Sequence, residues 1–243
     1  MERVKAELLY EGKAKKMFAV QGRPNEVWVE FKDSLTAFNA QKTGSFAGKG
    51  SINAQITSLL YRRLKDQGIT THWIQDVTKT EMICQKVQII PLEVVTRNVL
   101  AGSTAKKLGK EEGTPLEQPL VEFYYKDDAL GDPFLSDDQA LMMKAVPSQK
   151  DLETLKTKAR EINKVLIQEF AKAGLKLIDF KLEFGRTESG EILLADEISP
   201  DTCRLWDMKS GEKFDKDRFR RDLGRVEESY QEVLNRLNGK GMQ

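Results

Sequence analysis

The segment Ile178-Asp179-Phe180-Lys181-Leu182-Glu183-Phe184-Gly185 alternates apolar and charged residues. Successive side chains of a β-strand point to opposite faces. The four apolar side chains, Ile178 to Phe184, are therefore expected on one face, and Asp179, Lys181 and Glu183 on the other. A polar turn at 187–190 and a second apolar run at 192–195 follow. We predict that the two runs pair as an antiparallel hairpin.

The second run ends in Asp196-Glu197-Ile198-Ser199-Pro200-Asp201, so the hairpin would gather several carboxylates and Lys181 at one end of a sheet. Mg²⁺ is typically held by one or two carboxylates together with substrate phosphates. Glu183 and Asp196, on facing strands, are our candidate pair for Mg²⁺, because crowded like charges are costly without a cation. An exposed hairpin with ordinary cross-strand ion pairs is the alternative.

Composition narrows the possible chemistry. The chain has 243 residues, a formal charge of +1, 40% hydrophobic and 32% charged residues, an ordinary globular profile. The balanced charge predicts that neither nucleic acid nor a membrane is a partner. Two cysteines are too few for a disulfide framework. The sequence has one histidine, His72, which we interpret as a surface or packing residue, and a single histidine argues against histidine-based sites. The N-terminal residues lack the apolar run of a signal peptide, so we predict a cytoplasmic protein.

The pattern of apolar residues and turns predicts a strand-rich first part and a mixed second part. Expected strands cover 8–11, 15–20, 27–31, 82–90 and 92–99, and expected helices start at the caps Ser51 and Ser148 and at Asp215. Residues 109–146 are expected to be mainly loops. The order indicates an α+β fold of two lobes, 1–86 and 87–243.

Other cationic positions are candidates for binding anions. Gly12-Lys13-Ala14-Lys15-Lys16 places lysines and free N–H groups on one turn, which suits a polyphosphate, although a solvated basic turn is the simpler alternative. Arg97 at a strand end, near Ser103 at a helix start, could clamp a phosphate; a structural Arg97–Glu93 pair is the alternative. Arg204 and, in the long loop, Lys126 are further candidates. The segment 44–51 has the wrong spacing for a P-loop, although its Lys49 could still reach an anion.

Four segments of the sequence resemble the SAICAR synthetase (phosphoribosylaminoimidazole-succinocarboxamide synthase) family over essentially the whole length. They are Gly12-Lys13-Ala14-Lys15, the stretch from Pro91-Leu92-Glu93 through Arg97 to Ala101-Gly102-Ser103, Leu177 to Gly185, and Asp196 to Asp201 with Arg204-Leu205-Trp206-Asp207. The second and third are highly specific. Asn39 stands where many relatives have aspartate, so we expect no ionic role for it.

The resemblance implies an α+β fold of two lobes, related to ATP-grasp and protein-kinase architectures, with ATP in the cleft between them. It implies a ligase of purine biosynthesis that uses ATP to join CAIR (5-amino-4-carboxy-imidazole ribonucleotide) to L-aspartate through an acyl phosphate. It also implies a homodimer. The implied roles are ATP binding by Lys13, Ala14, Lys15 and Lys126; Mg²⁺ binding by Glu183 and Asp196; CAIR binding by Arg97, Ser103, Arg204, Asp179 and Lys181; and catalysis by Asp179, Lys181 and Asp196.

Two other functions remain compatible with the residues. A kinase of similar architecture would phosphorylate a small alcohol and stop there, releasing ADP without aspartate. A nucleotide-binding regulatory module would bind ATP without turnover. The charged groups beyond those a nucleotide needs, among them Arg97, Lys181 and Arg204, argue against the regulatory module.

Overall fold

A computed structural model describes residues 2–38 and 40–240 of the chain. Asn39, for which the sequence predicts no ionic role, lies outside the described residues. None of the helices in the described ranges has the length and hydropathy that a membrane crossing requires.

The N-terminal part is built mainly from strands. Its elements are β1 (Lys5–Glu11), β2 (Lys15–Val20), β3 (Glu26–Phe31), β4 (Ser34–Ala37), β5 (Lys42–Ser45), α1 (Lys49–Asp66), β6 (Trp73–Asp76) and β7 (Glu81–Gln85). Five of the strands form an antiparallel sheet in the order β1-β2-β3-β7-β6, and β4 pairs with β5. The turn between β1 and β2 carries the predicted lysines.

Helix α1 begins two residues before the predicted cap, so the prediction that Ser51 caps it is wrong. Gly48 is the N-cap, with a φ of 86°. The carboxylate of Asp33 accepts the N–H groups of Gly48 (3.1 Å) and Gly50 (2.9 Å), so a residue distant in sequence satisfies the helix start. Gly50 is also required sterically, because a Cβ there would lie 2.6 Å from the carbonyl oxygen of Phe31.

The second part combines a larger sheet with the remaining helices. Its elements are β8 (Gln88–Val99), α2 (Gly102–Lys107), β9 (Pro115–Tyr125), β10 (Phe134–Leu135), α3 (Asp137–Met142), α4 (Gln149–Lys172), β11 (Leu175–Arg186), β12 (Ile192–Ala195), β13 (Cys203–Asp207), α5 (Asp217–Arg220) and α6 (Val226–Leu237). The sheet order is β10-β9-β8-β11-β12, and β13 also pairs with β11.

The expectation that 109–146 consists mainly of loops is wrong, because β9 is an eleven-residue strand within it. Pro115 and Pro119 concealed this strand, since proline cannot donate to a strand ladder. They are tolerated because β9 pairs with β8 on one side, while β10 reaches only Phe123 and Tyr124 on the other. The prolines therefore lie on an edge stretch, where a missing N–H costs little.

The predicted hairpin is confirmed. Strands β11 and β12 are antiparallel, with Glu183 opposite Ala195 and Arg186 opposite Ile192. The apolar side chains of β11 pack into the main core, where they meet α1 and α4. Ile178 is the exception: it packs with Val99 and Ala101 in a separate cluster, next to a register shift in the β11–β13 ladder.

The single last helix predicted from Asp215 is instead two helices, α5 and α6. Asp215 is fully buried and accepts the N–H groups of Leu205 (2.9 Å) and Asp217 (2.7 Å), which ties this segment to β13. Arg225, the N-cap of α6, has a φ of 52° and ends the intervening turn. Leu223, expected to face inward, lies in that turn and is exposed.

The two sheets have separate hydrophobic clusters, and helix α1 contributes to both, with Ala54 in the cluster of the N-terminal sheet. The N-terminal sheet ends with β7 at Gln85, and the larger sheet begins with β8 at Gln88. Helix α1 belongs to the first part by sequence, but its Ile56, Leu60 and Leu64 share the main core with α4 and β11. The assignment of separate roles to 1–86 and 87–243 remains a prediction.

Candidate active site

Three acidic residues meet where β8, β11 and β12 lie side by side. Glu183 on β11 is directly opposite Glu93 on β8, and its other neighbour is Ala195 on β12. Asp196 follows Ala195 immediately. Like charges placed opposite each other in a sheet are destabilising unless cations offset them. This arrangement therefore requires nearby positive groups.

Lys181 lies among these acids. Its Nζ is 2.5 Å from Glu183, 3.2 Å from Glu93 and 3.4 Å from Asp196. Burial alone would lower the pKa of Lys181, but the charges of Glu183 and Asp196 outweigh it and raise the pKa well above the usual lysine value. Lys181 is therefore a permanent cation and cannot serve as a base near neutral pH.

Two further lysines reach the same acids from distant parts of the chain. Lys15, on β2, contacts Asp196 and lies 3.0 Å from Glu197. Lys126, after β9, lies 2.9 Å from Glu183. Burial opposes ionisation of Asp196, but the charges of Lys15 and Lys181 hold its pKa well below the usual range. Asp196 is therefore an anion at neutral pH.

These lysines and acids form the lysine–carboxylate cluster, consisting of Lys15, Lys126, Lys181, Glu93, Glu183, Asp196 and Glu197. Four carboxylates face three ammonium groups, which leaves one net negative charge. The alternative of an exposed hairpin face does not hold, because Glu183 is 5% exposed and one of its two lysine partners, Lys126, comes from outside the hairpin.

An arginine cluster lies beside it around Asp179, which is also buried. The Asp179 carboxylate accepts hydrogen bonds from Arg97 (2.8 Å) and Arg204 (2.9 and 3.1 Å). Arg97 also donates to Glu122 (2.7 Å), and Arg204 to Asp217 (3.1 Å). The alternative Arg97–Glu93 pair is absent from the ion pairs of the described residues, since Glu93 pairs with Lys181 and Arg97 with Asp179 and Glu122.

Ser103 lies close to this arginine cluster. It is exposed in the first turn of α2 and follows Gly102. A Cβ on Gly102 would lie 2.6 Å from Nη2 of Arg204, so the guanidinium packs directly against the backbone beside Ser103. Arg97, Arg204 and Ser103 are thus arranged around one corner of the sheet.

The lysines of the β1–β2 turn separate in the structure. Lys15 enters the lysine–carboxylate cluster, whereas Lys13 is exposed and pairs with the exposed Asp128 (2.7 Å). Ala14 lies between them, and its carbonyl accepts the N–H of Lys32 (2.8 Å). Lys49, the other candidate anion ligand, is buried against Asp201 (2.5 Å).

Sequence reasoning missed several charged partners of these clusters. Glu122 lies in the segment expected to be loop, and Asp217 in the segment expected to be one long helix. Glu197 was visible beside Asp196 in the quoted motif, but nothing local distinguished its pairing with Lys15. The only available signal was the density of acids in 196–201 and 215–217.

The family model for SAICAR synthetase matches residues 8–237. The chain belongs to the SAICAR synthetase family. A phosphoribosylaminoimidazole-succinocarboxamide synthase of Bacillus cytotoxicus is 57% identical over 235 residues, which are 97% of this chain and 98% of that protein. The family resemblance, the α+β fold and the enzyme assignment are therefore confirmed.

Solved structures of SAICAR synthetases share the fold. The phosphoribosylaminoimidazole-succinocarboxamide synthase from Ehrlichia chaffeensis is 46% identical with a TM-score of 0.92, covering 96% of this chain and 98% of its own. A SAICAR synthetase in complex with ADP is 43% identical, also with a TM-score of 0.92, covering 98% of this chain and all of its own. As a member of this family, this chain is a ligase of purine biosynthesis.

His72 packs behind the site as the chain's single histidine. It is buried, its Nε2 has no hydrogen-bond partner, and its ring meets that of Tyr61 edge-on. Burial, followed by the charge of Lys15, lowers the pKa of His72 to about 4. This environment agrees with the expected packing role. The low pKa of His72 makes the stability of the folded protein depend on pH.

We expect His72 to make the enzyme less stable as the pH falls. An unfolded histidine titrates near pH 6.5, so between about 6.5 and 4 the unfolded state binds a proton that the folded state refuses. The free energy of unfolding should fall through that window by about 3 kcal/mol in total. Urea unfolding at pH 7.5, 6.0 and 5.0 should show a shallower fall in His72→Gln than in the wild type. Equal slopes would contradict the buried neutral state, because the carboxylates titrate in both proteins.

Proposed function

We propose that this SAICAR synthetase joins CAIR to L-aspartate, consuming ATP and giving SAICAR, ADP and phosphate through an acyl phosphate. One observation carries the proposal: Asp179, Lys181 and Glu183 occupy alternate positions of β11. Asp179 belongs to the arginine cluster, and Lys181 and Glu183 to the lysine–carboxylate cluster. Alternate residues of a strand are about 7 Å apart. A site for a phosphorylated substrate therefore adjoins a site for phosphoryl transfer.

ATP is assigned to the lysine side of the site. Lys15 and Lys126 both belong to the lysine–carboxylate cluster, and Lys13 lies in the same β1–β2 turn region as Lys15. We propose that these lysines and the backbone at Ala14 bind the phosphates of ATP. The relative solved in complex with ADP supports nucleotide binding, since it is similar over 98% of this chain.

Mg²⁺ is assigned to Glu183 and Asp196. Both carboxylates lie within 3.4 Å of Nζ of Lys181, so they border one small volume. Within the described residues, no group of three or more His, Cys, Asp or Glu side chains is placed to hold a metal. Two carboxylates with nucleotide phosphates fit Mg²⁺, which seldom uses a site made only of protein groups. When bound, Mg²⁺ would neutralise charge on the transferring phosphoryl group.

CAIR is assigned to the arginine side. Arg97, Arg204 and Ser103 would hold its phosphate, because guanidinium groups bind such anions through paired hydrogen bonds. Asp179 and Lys181 would then lie near its imidazole and its carboxylate. Asp179 keeps both guanidinium groups in place before the substrate arrives, which preorganises the phosphate site.

The proposed reaction follows from the charges. A carboxylate is a poor electrophile, so an oxygen of the CAIR carboxylate first attacks the γ-phosphorus of ATP, and ADP leaves. The aspartate amine then attacks the carbonyl carbon, loses a proton, and phosphate leaves with the carboxylate oxygen. Burial opposes the charge of Lys15, but Asp196 and Glu197 raise its pKa above the usual lysine value, so it stays a cation as Lys181 does. Lys15 and Lys181 would offset the charge of two anionic reactants that must meet a triphosphate.

An assay of ADP formation tests this reaction. ATP, CAIR and L-aspartate are supplied together, and each is then omitted in turn. We expect sustained ADP formation only with all three, and SAICAR as the product. Full ADP release without aspartate, with a stable phosphorylated product, would favour the kinase. ATP binding without ADP formation under any condition would favour the regulatory module.

We also propose that the protein is a cytoplasmic homodimer whose nucleotide-binding part is 1–86 and whose substrate and metal part is 87–243. The dimer is supported by the resemblance to the family. Light scattering after size exclusion measures it directly: a mass near twice the 27.6 kDa of one chain is expected, and a mass near 27.6 kDa would reject it.

A further inference from the structure

The backbone turns sharply at Asp196. Its φ is 62°, in the left-handed region that residues with a Cβ rarely adopt. At this turn the carbonyl oxygens of Ala195 and Asp196 both face the hydroxyl of Tyr61, at 2.9 and 3.1 Å. The single hydroxyl hydrogen of Tyr61, on helix α1, is thus shared between two successive carbonyls at the end of β12.

Tyr61 is itself held firmly. Its side chain is fully buried, and its ring meets that of His72 edge-on, with the centroids 5.9 Å apart. The backbone N–H of His72 donates to the carbonyl of Leu194 (2.8 Å). Three consecutive carbonyls, from 194 to 196, are therefore fixed by Tyr61 and His72. Burial and the charge of Asp196 keep the pKa of Tyr61 well above its usual value, so the hydroxyl remains a donor.

We infer that Tyr61 is a positioning residue for the metal site: its hydroxyl fixes the left-handed backbone of Asp196, and so aims that carboxylate at the volume it shares with Glu183. The inference rests on the proposed function, in which Asp196 binds Mg²⁺. Groups that orient a metal ligand influence affinity without touching the metal. Without the hydroxyl, the carbonyls of Ala195 and Asp196 lose the hydrogen bond that Tyr61 shares between them, and the left-handed turn loses this support.

The test compares two buried tyrosines. Tyr61→Phe removes the hydroxyl and keeps the ring. Tyr230→Phe is the matched control, because Tyr230 is equally buried on a helix and its hydroxyl donates to Asp201 (2.7 Å). Mn²⁺ is the probe, titrated into the full-length protein with ADP while electron paramagnetic resonance measures the free ion. We expect Tyr61→Phe to weaken Mn²⁺ binding about tenfold or more, and Tyr230→Phe to bind like the wild type.

A kinetic measurement separates positioning from general destabilisation. In Tyr61→Phe the Mg²⁺ concentration for half-maximal ADP formation should rise by a similar factor, while kcat recovers at saturating Mg²⁺. Thermal unfolding of both variants shows whether they lose comparable stability. The inference would be overturned if Tyr61→Phe bound Mn²⁺ as tightly as the wild type. Equal losses of Mn²⁺ affinity in both phenylalanine variants would also overturn it.

Asp196→Asn is titrated alongside, so that failure of the inference can be told from failure of the proposed site. If Asp196→Asn loses Mn²⁺ affinity while Tyr61→Phe keeps that of the wild type, only the proposed role of Tyr61 is rejected. If Asp196→Asn retains Mn²⁺, the metal assignment itself falls, and the inference with it.

Discussion

Asp196→Asn is expected to lower the rate of SAICAR formation by at least about a hundredfold, more than the 10–100-fold typical of groups that only support a metal ligand. The change removes a proposed Mg²⁺ ligand and the anion that Lys15 and Lys181 face. The fold should survive, because asparagine has nearly the same volume and tolerates the left-handed backbone of this position. Steady-state rates over a range of Mg²⁺ concentrations, together with a thermal unfolding curve, measure both expectations.

Asp137→Asn is the matched control for this variant. Asp137 is also paired with a lysine, Lys156 at 2.5 Å, but it lies on α3 outside both clusters. The same chemical change there should leave the rate near that of the wild type. Undiminished Mg²⁺-dependent activity in Asp196→Asn would remove this residue from the site.

Arg97→Lys is expected to raise the KM for CAIR about tenfold or more, with a smaller effect on the KM for ATP. Lysine keeps the positive charge but cannot present the planar pair of donors, and a hydrogen bond to a charged group is worth about 1.5–3 kcal/mol. Alanine would be a poorer test, since it would leave Asp179 and Glu122 without their shared buried cation and destabilise the fold.

The control for Arg97→Lys is Arg186→Lys. Arg186 lies on the same strand as Asp179 and pairs with Asp151 at 2.5 Å, at the far end of β11 from the arginine cluster. Its replacement should leave both KM values unchanged. If Arg97→Lys raises the KM for ATP and leaves that for CAIR unchanged, Arg97 has been assigned to the wrong substrate.

Local sequence patterns predicted those helices and strands whose stability depends mainly on residues close together in the sequence. The alternation in 178–185 predicted β11, and the turn at 187–190 predicted its hairpin, because strand faces and turns are set by residues a few positions apart. The long helix after Ser148 was predicted for the same reason. Local patterns failed for β9 and for the start of α1, which depend on β8 and on Asp33, both distant in the chain. They also failed for the break between α5 and α6, where Arg225 adopts a left-handed backbone.

The sequence by itself determined which charged residues are the candidates for the site, since the motifs around Lys15, Arg97, Lys181 and Asp196 are written in consecutive residues. Only the tertiary structure decided how they pair. Lys15 meets Asp196 across 181 positions, and Arg97 meets Asp179 across 82. Such pairings depend on strand register and on burial, because an ion pair gains strength only where the fold excludes water.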